Sequence, residues 1–197
     1  RQLERLTNNY EVGESGIAFS PDGQWVAFGA PDDMTQYSMT ESKAYIREVS
    51  DRGGAFRKLG ADFDGSIRMG FWSEDGNTVY FGAGIKVTNQ LMALDVGSGE
   101  VRQVTNEEAS LSVSREEDSG VYLVNYQDPH TPSTLFTIPN LDDITNRAAW
   151  VQLTDVTPQV SGFALGDAVE VEWTSTDGKT VGGVLTYPVG YEEGTRY

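Results

Sequence analysis

One pattern, written twice, constrains this chain more than anything in its composition. Ile17-Ala18-Phe19-Ser20-Pro21-Asp22-Gly23-Gln24-Trp25-Val26-Ala27-Phe28 and Gly70-Phe71-Trp72-Ser73-Glu74-Asp75-Gly76-Asn77-Thr78-Val79-Tyr80-Phe81 each join two apolar or aromatic runs through Ser-x-Asp-Gly. A third, degraded copy runs from Leu111-Ser112-Val113-Ser114 to Ser119-Gly120-Val121-Tyr122-Leu123-Val124, its turn stretched by Arg115-Glu116-Glu117-Asp118. Self-similarity at a fixed period is the mark of a fold built by stacking one supersecondary unit. The turn has a mechanism: Pro21 presets φ for the first corner of a type I turn, and Gly23 and Gly76 can take the left-handed conformation that closes a tight hairpin. Each copy is read as a β-hairpin.

A second strand pair follows each hairpin. The runs are Ala44-Tyr45-Ile46-Arg47-Glu48-Val49 with Phe56-Arg57-Lys58-Leu59, and Leu91-Met92-Ala93-Leu94-Asp95-Val96 with Val101-Arg102-Gln103-Val104-Thr105. The third pair is Thr134-Leu135-Phe136-Thr137-Ile138 with Trp150-Val151-Gln152-Leu153-Thr154. No segment sustains helical periodicity with caps, so the alternation predicts strands throughout and an all-β class. Four strands per unit make a β-propeller blade. Gly76 follows Gly23 by 53 residues and Gly120 follows Gly76 by 44, close to blade periods of about 40 to 50. The first unit is the longer because residues 31–42 form a polar loop. The expected blades are 15–60, 66–105 and 110–155, with 158–197 as an exit strand and junction. Residues 1–7, whose Leu3-x-x-Leu6-Thr7 pattern matches Gln152-Leu153-Thr154, are expected to be the last strand of a preceding blade. Propellers close with about four to eight blades, so a partial ring of about three is expected to belong with more protein.

The character changes after residue 168. Trp173-Thr174-Ser175-Thr176-Asp177-Gly178 is followed by Gly183-Val184-Leu185-Thr186-Tyr187-Pro188-Val189-Gly190-Tyr191. This stretch resembles the junction of prolyl oligopeptidase family serine peptidases, the group of acylaminoacyl peptidases and dipeptidyl aminopeptidases. There a Trp-x-Ser-x-Asp-Gly strand leaves the propeller and a Gly-x-Leu-x-x-Pro-x-Gly-Tyr run enters an α/β-hydrolase domain. The resemblance implies a parent hydrolase that cuts short peptides by acyl transfer to water, through serine, histidine and aspartate with an oxyanion hole, and without a cofactor. The propeller would restrict access to the active site and help bind peptide. Its implied partners are peptide substrates and the protein's own catalytic domain. TolB-type propellers share the Ser-Pro-Asp-Gly hairpin, so a non-enzymatic, protein-binding propeller is the alternative. A propeller on another hydrolase, such as an amidohydrolase, leaves Tyr187-Pro188-Val189-Gly190-Tyr191 unexplained.

The chain itself carries no complete catalytic apparatus. Such a hydrolase places its serine on a Gly-x-Ser-x-Gly elbow, and no such pentapeptide occurs. Gly97-Ser98-Gly99 is a turn between strands, and Gly13-Glu14-Ser15-Gly16 has the wrong spacing. His130, the only histidine, lies between Asp128-Pro129 and Thr131-Pro132 and is read as structural or solvated. Asp62-x-Asp64-Gly65-Ser66 is similar to a calcium loop, yet its twelfth position is Ser73, so it reads as a turn between blades. Asp32-Asp33, Glu107-Glu108, Glu116-Glu117 and Glu192-Glu193 read as solvated loop pairs, and Trp25, Trp72, Tyr80, Trp150 and Trp173 as packing. No catalytic, cofactor or metal residue is therefore assigned.

Charge narrows the partners. Thirty acidic against 14 basic side chains give a net charge of -16, which argues against nucleic acid, whose phosphates demand basic surface. The excess carboxylates read as solubilising charge, with salt adaptation as the alternative. No apolar run approaches the roughly 18 to 20 residues of a membrane span. Cysteine is absent, which leaves cytoplasm and periplasm equally open.

Overall fold

The Ser-x-Asp-Gly hairpins fold as their chemistry dictates. The computed structural model describes residues 5, 7, 13–33 and 39–197. Between β1 (Ser15–Phe19) and β2 (Trp25–Pro31), the Ser20 N–H donates to Trp25 O at 3.0 Å and the Gly23 N–H to Ser20 O at 2.8 Å, with Gly23 at φ +70°. Side chains stiffen the loop. The Ser20 hydroxyl donates to Asp22 at 2.6 Å and accepts the Trp25 N–H at 2.9 Å, while Asp22 also accepts the Gln24 N–H at 2.9 Å. Ser73, Asp75, Asn77 and Thr78 repeat this network at 2.6, 3.0 and 2.9 Å in the next unit. The serine hydroxyls and then the turn N–H groups hold both carboxyls below their ordinary range, Asp75 down to about 2.

Three four-stranded antiparallel sheets follow in chain order. The first is β1-β2-β3-β4, with β3 at Ser42–Glu48 and β4 at Arg57–Leu59. The second comprises β5 (Phe71–Trp72), β6 (Thr78–Ile85), β7 (Thr88–Asp95) and β8 (Val101–Gln103). The third is built from β9 (Ser110–Arg115), β10 (Tyr122–Gln127), β11 (Thr134–Ile138) and β12 (Val151–Gln152). Each is a meander, so the chain is an all-β, partial propeller of three blades. A separate two-stranded sheet, β13 (Ala168–Thr174) with β14 (Thr180–Thr186), completes it.

By its internal contacts the chain divides into residues 1–83 with 91–104, and residues 84–90 with 105–197. In the first unit the core is Val26, Ala27 and Phe28 of β2, Ala44 and Ile46 of β3, and Val79, Phe81 and Leu91 to Leu94 of the second sheet. Both β2 and β7 are buried over consecutive residues, the sign of a strand covered on both faces. In the second unit β10 instead alternates, with Tyr122, Val124 and Tyr126 buried over Leu111, Ile138 and Ile144.

The backbone aligns the blades and exposes a device that apolar patterning hides. Val49 N–H donates to Gln24 O and Val96 N–H to Asn77 O, which makes Lys43 and Gln90 equivalent positions at the starts of β3 and β7. Both are buried. Lys43 Nζ donates to Phe63 O and to Gly65 O, the latter at 3.0 Å, in the crossover toward the second blade. Gln90 Nε2 donates to Glu107 O at 2.9 Å and Ala109 O at 3.0 Å in the crossover toward the third. In each case a buried donor grips two carbonyls two residues apart.

Two features depart from expectation. The link between β11 and β12 holds two short 3-10 turns, Leu141–Thr145 and Arg147–Ala149, in a stretch to which the sequence reading assigns no element. The junction is a closed hairpin, not a lone exit strand. Residues 1–7, read as an earlier blade's strand, fall outside the described residues except for 5 and 7.

Candidate functional site

The β13–β14 hairpin is where the sequence changes character, and its residues sort cleanly by face. The register pairs Val169 with Leu185, Val171 with Gly183 and Trp173 with Val181. Because strand side chains alternate, these six share one face, while Glu170, Glu172, Thr174 and Val184 share the other. Trp173 lies across Gly183, where an added Cβ would sit 3.0 Å from the indole. Still, Trp173 is 51% exposed and Leu185 44%, so Trp173 packs against Gly183 while staying half open to solvent. Among the described residues no blade strand pairs with the hairpin.

Its tip repeats the blade chemistry. Ser175 N–H donates to Lys179 O at 2.8 Å, Gly178 N–H to Ser175 O at 3.0 Å, and Lys179 N–H to Asp177 at 3.2 Å, with Gly178 at φ +84°. Beyond β14, Tyr187 stacks on Tyr191 at 4.3 Å, and Tyr191 lies 5.5 Å from Tyr197. Tyr197 Oη donates to Gly190 O and accepts the Glu192 N–H. The Pro188-Val189-Gly190-Tyr191 run is thus an ordered turn.

The remaining sequence candidates do not converge on a catalytic centre. His130 Nε2 lies 3.3 Å from Asp167, just before β13, and both side chains are exposed. Its ring faces a carboxylate and not a serine hydroxyl. Asp32 accepts from Lys58 at 2.7 Å, Glu107 lies 4.0 Å from Arg147, and Glu116 accepts from the backbone and hydroxyl of Ser119. The Asp62-to-Ser66 loop closes around the Lys43 ammonium, which also pairs with Glu41 at 2.7 Å and holds that carboxyl below its ordinary range. Among the described residues, no group of three or more His, Asp or Glu side chains is arranged to hold a metal.

Sequence reasoning missed one aromatic cluster. Arg147 lies 3.8 Å over Tyr126 and 4.1 Å over Trp150, and Phe136 completes the box 5.4 Å from Trp150. Burial pushes the Tyr126 hydroxyl up. The arginine fills the box, so it reads as a pin holding the 3-10 link to the blade.

Fold and junction together define a propeller-type chain with an appended hairpin, and solved structures are similar to it in fold. The AtxE2 isopeptidase matches with a TM-score of 0.63 at 18% identity, over 88% of this chain and 26% of that one. Porphyromonas gingivalis dipeptidyl peptidase 4 matches with 0.60 at 12%, over 89% and 24%. A putative TolB from Agrobacterium tumefaciens matches with 0.51 at 14%, over 88% and 74%. The chain therefore spans about a quarter of the length of the two peptidases. At these identities the likeness is one of fold. No family model and no curated protein matches the sequence.

Proposed function

We propose that this chain is the propeller portion and exit hairpin of a serine peptidase acting on short peptides, with the catalytic residues supplied by a hydrolase domain of the parent protein. The observation that carries the reading is the β13–β14 hairpin. It stands apart from the blade sheets, turns through Trp173-x-Ser175-x-Asp177-Gly178 and ends in the Tyr187-Pro188 turn. A propeller built only to bind would spend these residues on a further blade strand. The hairpin's exposed apolar face, with Val169, Trp173, Val181 and Leu185, offers a hydrolase domain a surface to cover. The isopeptidase and dipeptidyl peptidase neighbours support the same reading.

Peptide would pass the blades, which exclude bulky chains, and the serine, histidine and aspartate of the hydrolase domain would cleave it. The test is fluorophosphonate labelling of the full-length parent together with hydrolysis of short peptides. Labelling with turnover is expected, and a full-length protein that neither labels nor hydrolyses overturns the proposal. The second reading, a protein-binding propeller, is favoured by the TolB-type neighbour, of which this chain covers 74%. It gains from that same negative result.

A further inference from the structure

The acidic face of β13 repels itself. Glu170 and Glu172 stand two residues apart on one side of the strand, with Asp167 just ahead of them, in a chain of net charge -16. One cation answers the two glutamates: Lys86 Nζ lies 2.9 Å from Glu170 and 3.4 Å from Glu172. Lys86 sits at the tip of the β6–β7 hairpin, and the tip of the β10–β11 hairpin supplies His130, 3.3 Å from Asp167. Lys86 thus supplies the cation that faces the two glutamates, while the His130 imidazole lies beside the residue that precedes β13.

The backbone gives Lys86 a second distinction. Its φ is +52°, and it is the one non-glycine residue with positive φ among those described. Two-residue hairpin loops favour glycine or asparagine at such positions because a Cβ crowds the backbone there. A lysine held in that conformation and aimed at two carboxylates joins local strain to a charge contact, the association expected of a working contact rather than a passive turn.

We infer that Lys86 forms an electrostatic clasp that sets the orientation of the β13–β14 hairpin. The clasp turns the acidic face toward the blade tips and leaves the apolar face of Val169, Trp173, Val181 and Leu185 outward. It works whether or not the hairpin leads into a hydrolase domain. Because its partners are exposed, its strength falls with salt.

The absence of native cysteine permits a direct test. Nitroxide labels at Asp142→Cys, on the 3-10 link, and Thr176→Cys, at the hairpin tip, report the hairpin's distance from the third blade by pulsed electron resonance. At low salt one narrow distance distribution is expected. Lys86→Asn keeps the left-handed turn and removes the charge, and it should raise the displaced population about 2- to 5-fold. Salt near 1 M, where screening acts within roughly 3 Å, should do the same to the parent chain. Lys86→Arg should retain the narrow distribution. An unchanged distribution in Lys86→Asn and at high salt, with circular dichroism showing folded protein, overturns the clasp.

Discussion

Gln90 has five polar contacts while only 1% exposed, and its replacement tests whether polar latches or apolar packing join one blade to the next. Its amide nitrogen donates to Glu107 O and Ala109 O and lies 2.8 Å from Thr88 Oγ1, and its oxygen accepts from the Thr105 hydroxyl and the Glu107 N–H, all between 2.8 and 3.1 Å. Each such bond is worth about 0.5–1.5 kcal/mol net, and a buried group deprived of its partner costs about 1–3 kcal/mol. Gln90→Ala should therefore destabilise by about 3–4 kcal/mol. With a urea m value of about 2 kcal/mol/M, the unfolding midpoint falls by about 1.5–2 M. Gln90→Glu is the sharper probe, because it keeps the shape but sets an acceptor against the two carbonyls that now receive N–H. It should be at least as damaging at neutral pH. Its carboxyl, buried against carbonyls, is raised in the folded state, so the folded chain binds the proton more tightly and the loss shrinks as pH falls. Urea unfolding followed by tryptophan fluorescence reads both variants. A midpoint shift below about 0.3 M for Gln90→Ala, or a Gln90→Glu as stable as the parent at neutral pH, refutes the latch.

The equivalent position predicts a rescue: Lys43→Met should cost about 2–3 kcal/mol by depriving Phe63 O and Gly65 O of their donor, whereas Lys43→Gln, carrying the other blade's residue, should recover about half in the same titration. Gly23→Ala, forced to hold φ +70°, should lose about 1–2 kcal/mol. Gly82→Ala, with open space at its Cβ, should be neutral or slightly stabilising on thermal melting. Asp75 titrates near 2 in the folded chain and near 3.8 when free of its partners, so the unfolded chain takes up the proton first as pH falls. Its stabilising contribution is complete above about pH 4 and disappears toward pH 2. Acid titration of Asp75→Asn should accordingly show a shallower loss of stability over that window, and a slope equal to the parent's contradicts the assignment.

The blades are legible because strands such as β6 and β10 alternate with period two and the turn residues mark their ends, even though β2 and β7 are buried without a break. Val79 and Phe81 point inward from β6 as their alternation requires, and Gly23 and Gly76 mark the turns. What the turn residues Ser20 and Asp22 do was only half visible. Their spacing announces a turn, but the hydroxyl that donates to the carboxylate and accepts an N–H emerges only in three dimensions. The latches left no trace in the sequence, since lysine and glutamine share no class and their targets are main-chain carbonyls 17 to 22 residues away. The Asp62-to-Ser66 loop misleads for a related reason: its acidic spacing suggests an external cation, while the cation at its centre is the chain's own Lys43. At the junction the motif was readable, but its closure into a hairpin was not, because Gly182-Gly183 weakens the strand pattern of β14.

The third blade tests the latch from the other side. Its register pairs Tyr126 with Thr134, and Tyr122 with Ile138, as β2 pairs Ala30 with Lys43, and Val26 with Arg47. Thr134 is therefore the counterpart of Lys43 and Gln90. Its hydroxyl is too short to reach a crossover and bonds back to Pro132 O at 2.8 Å. Beyond β12 the chain does not return as another blade's first strand. It passes through a 3-10 turn at Pro158–Gly162 and into the β13–β14 hairpin. A latch is present after each blade that is followed by another and absent after the blade that is not. The loss of one buried donor thus coincides with the exit from the blade pattern, which supports reading residues 158–197 as a junction rather than a fourth blade. Thr134→Gln should then gain little, because the chain beyond β12 enters a 3-10 turn and the β13–β14 hairpin and not a crossover to another blade. A stabilisation above about 1 kcal/mol on urea unfolding would show a crossover there after all.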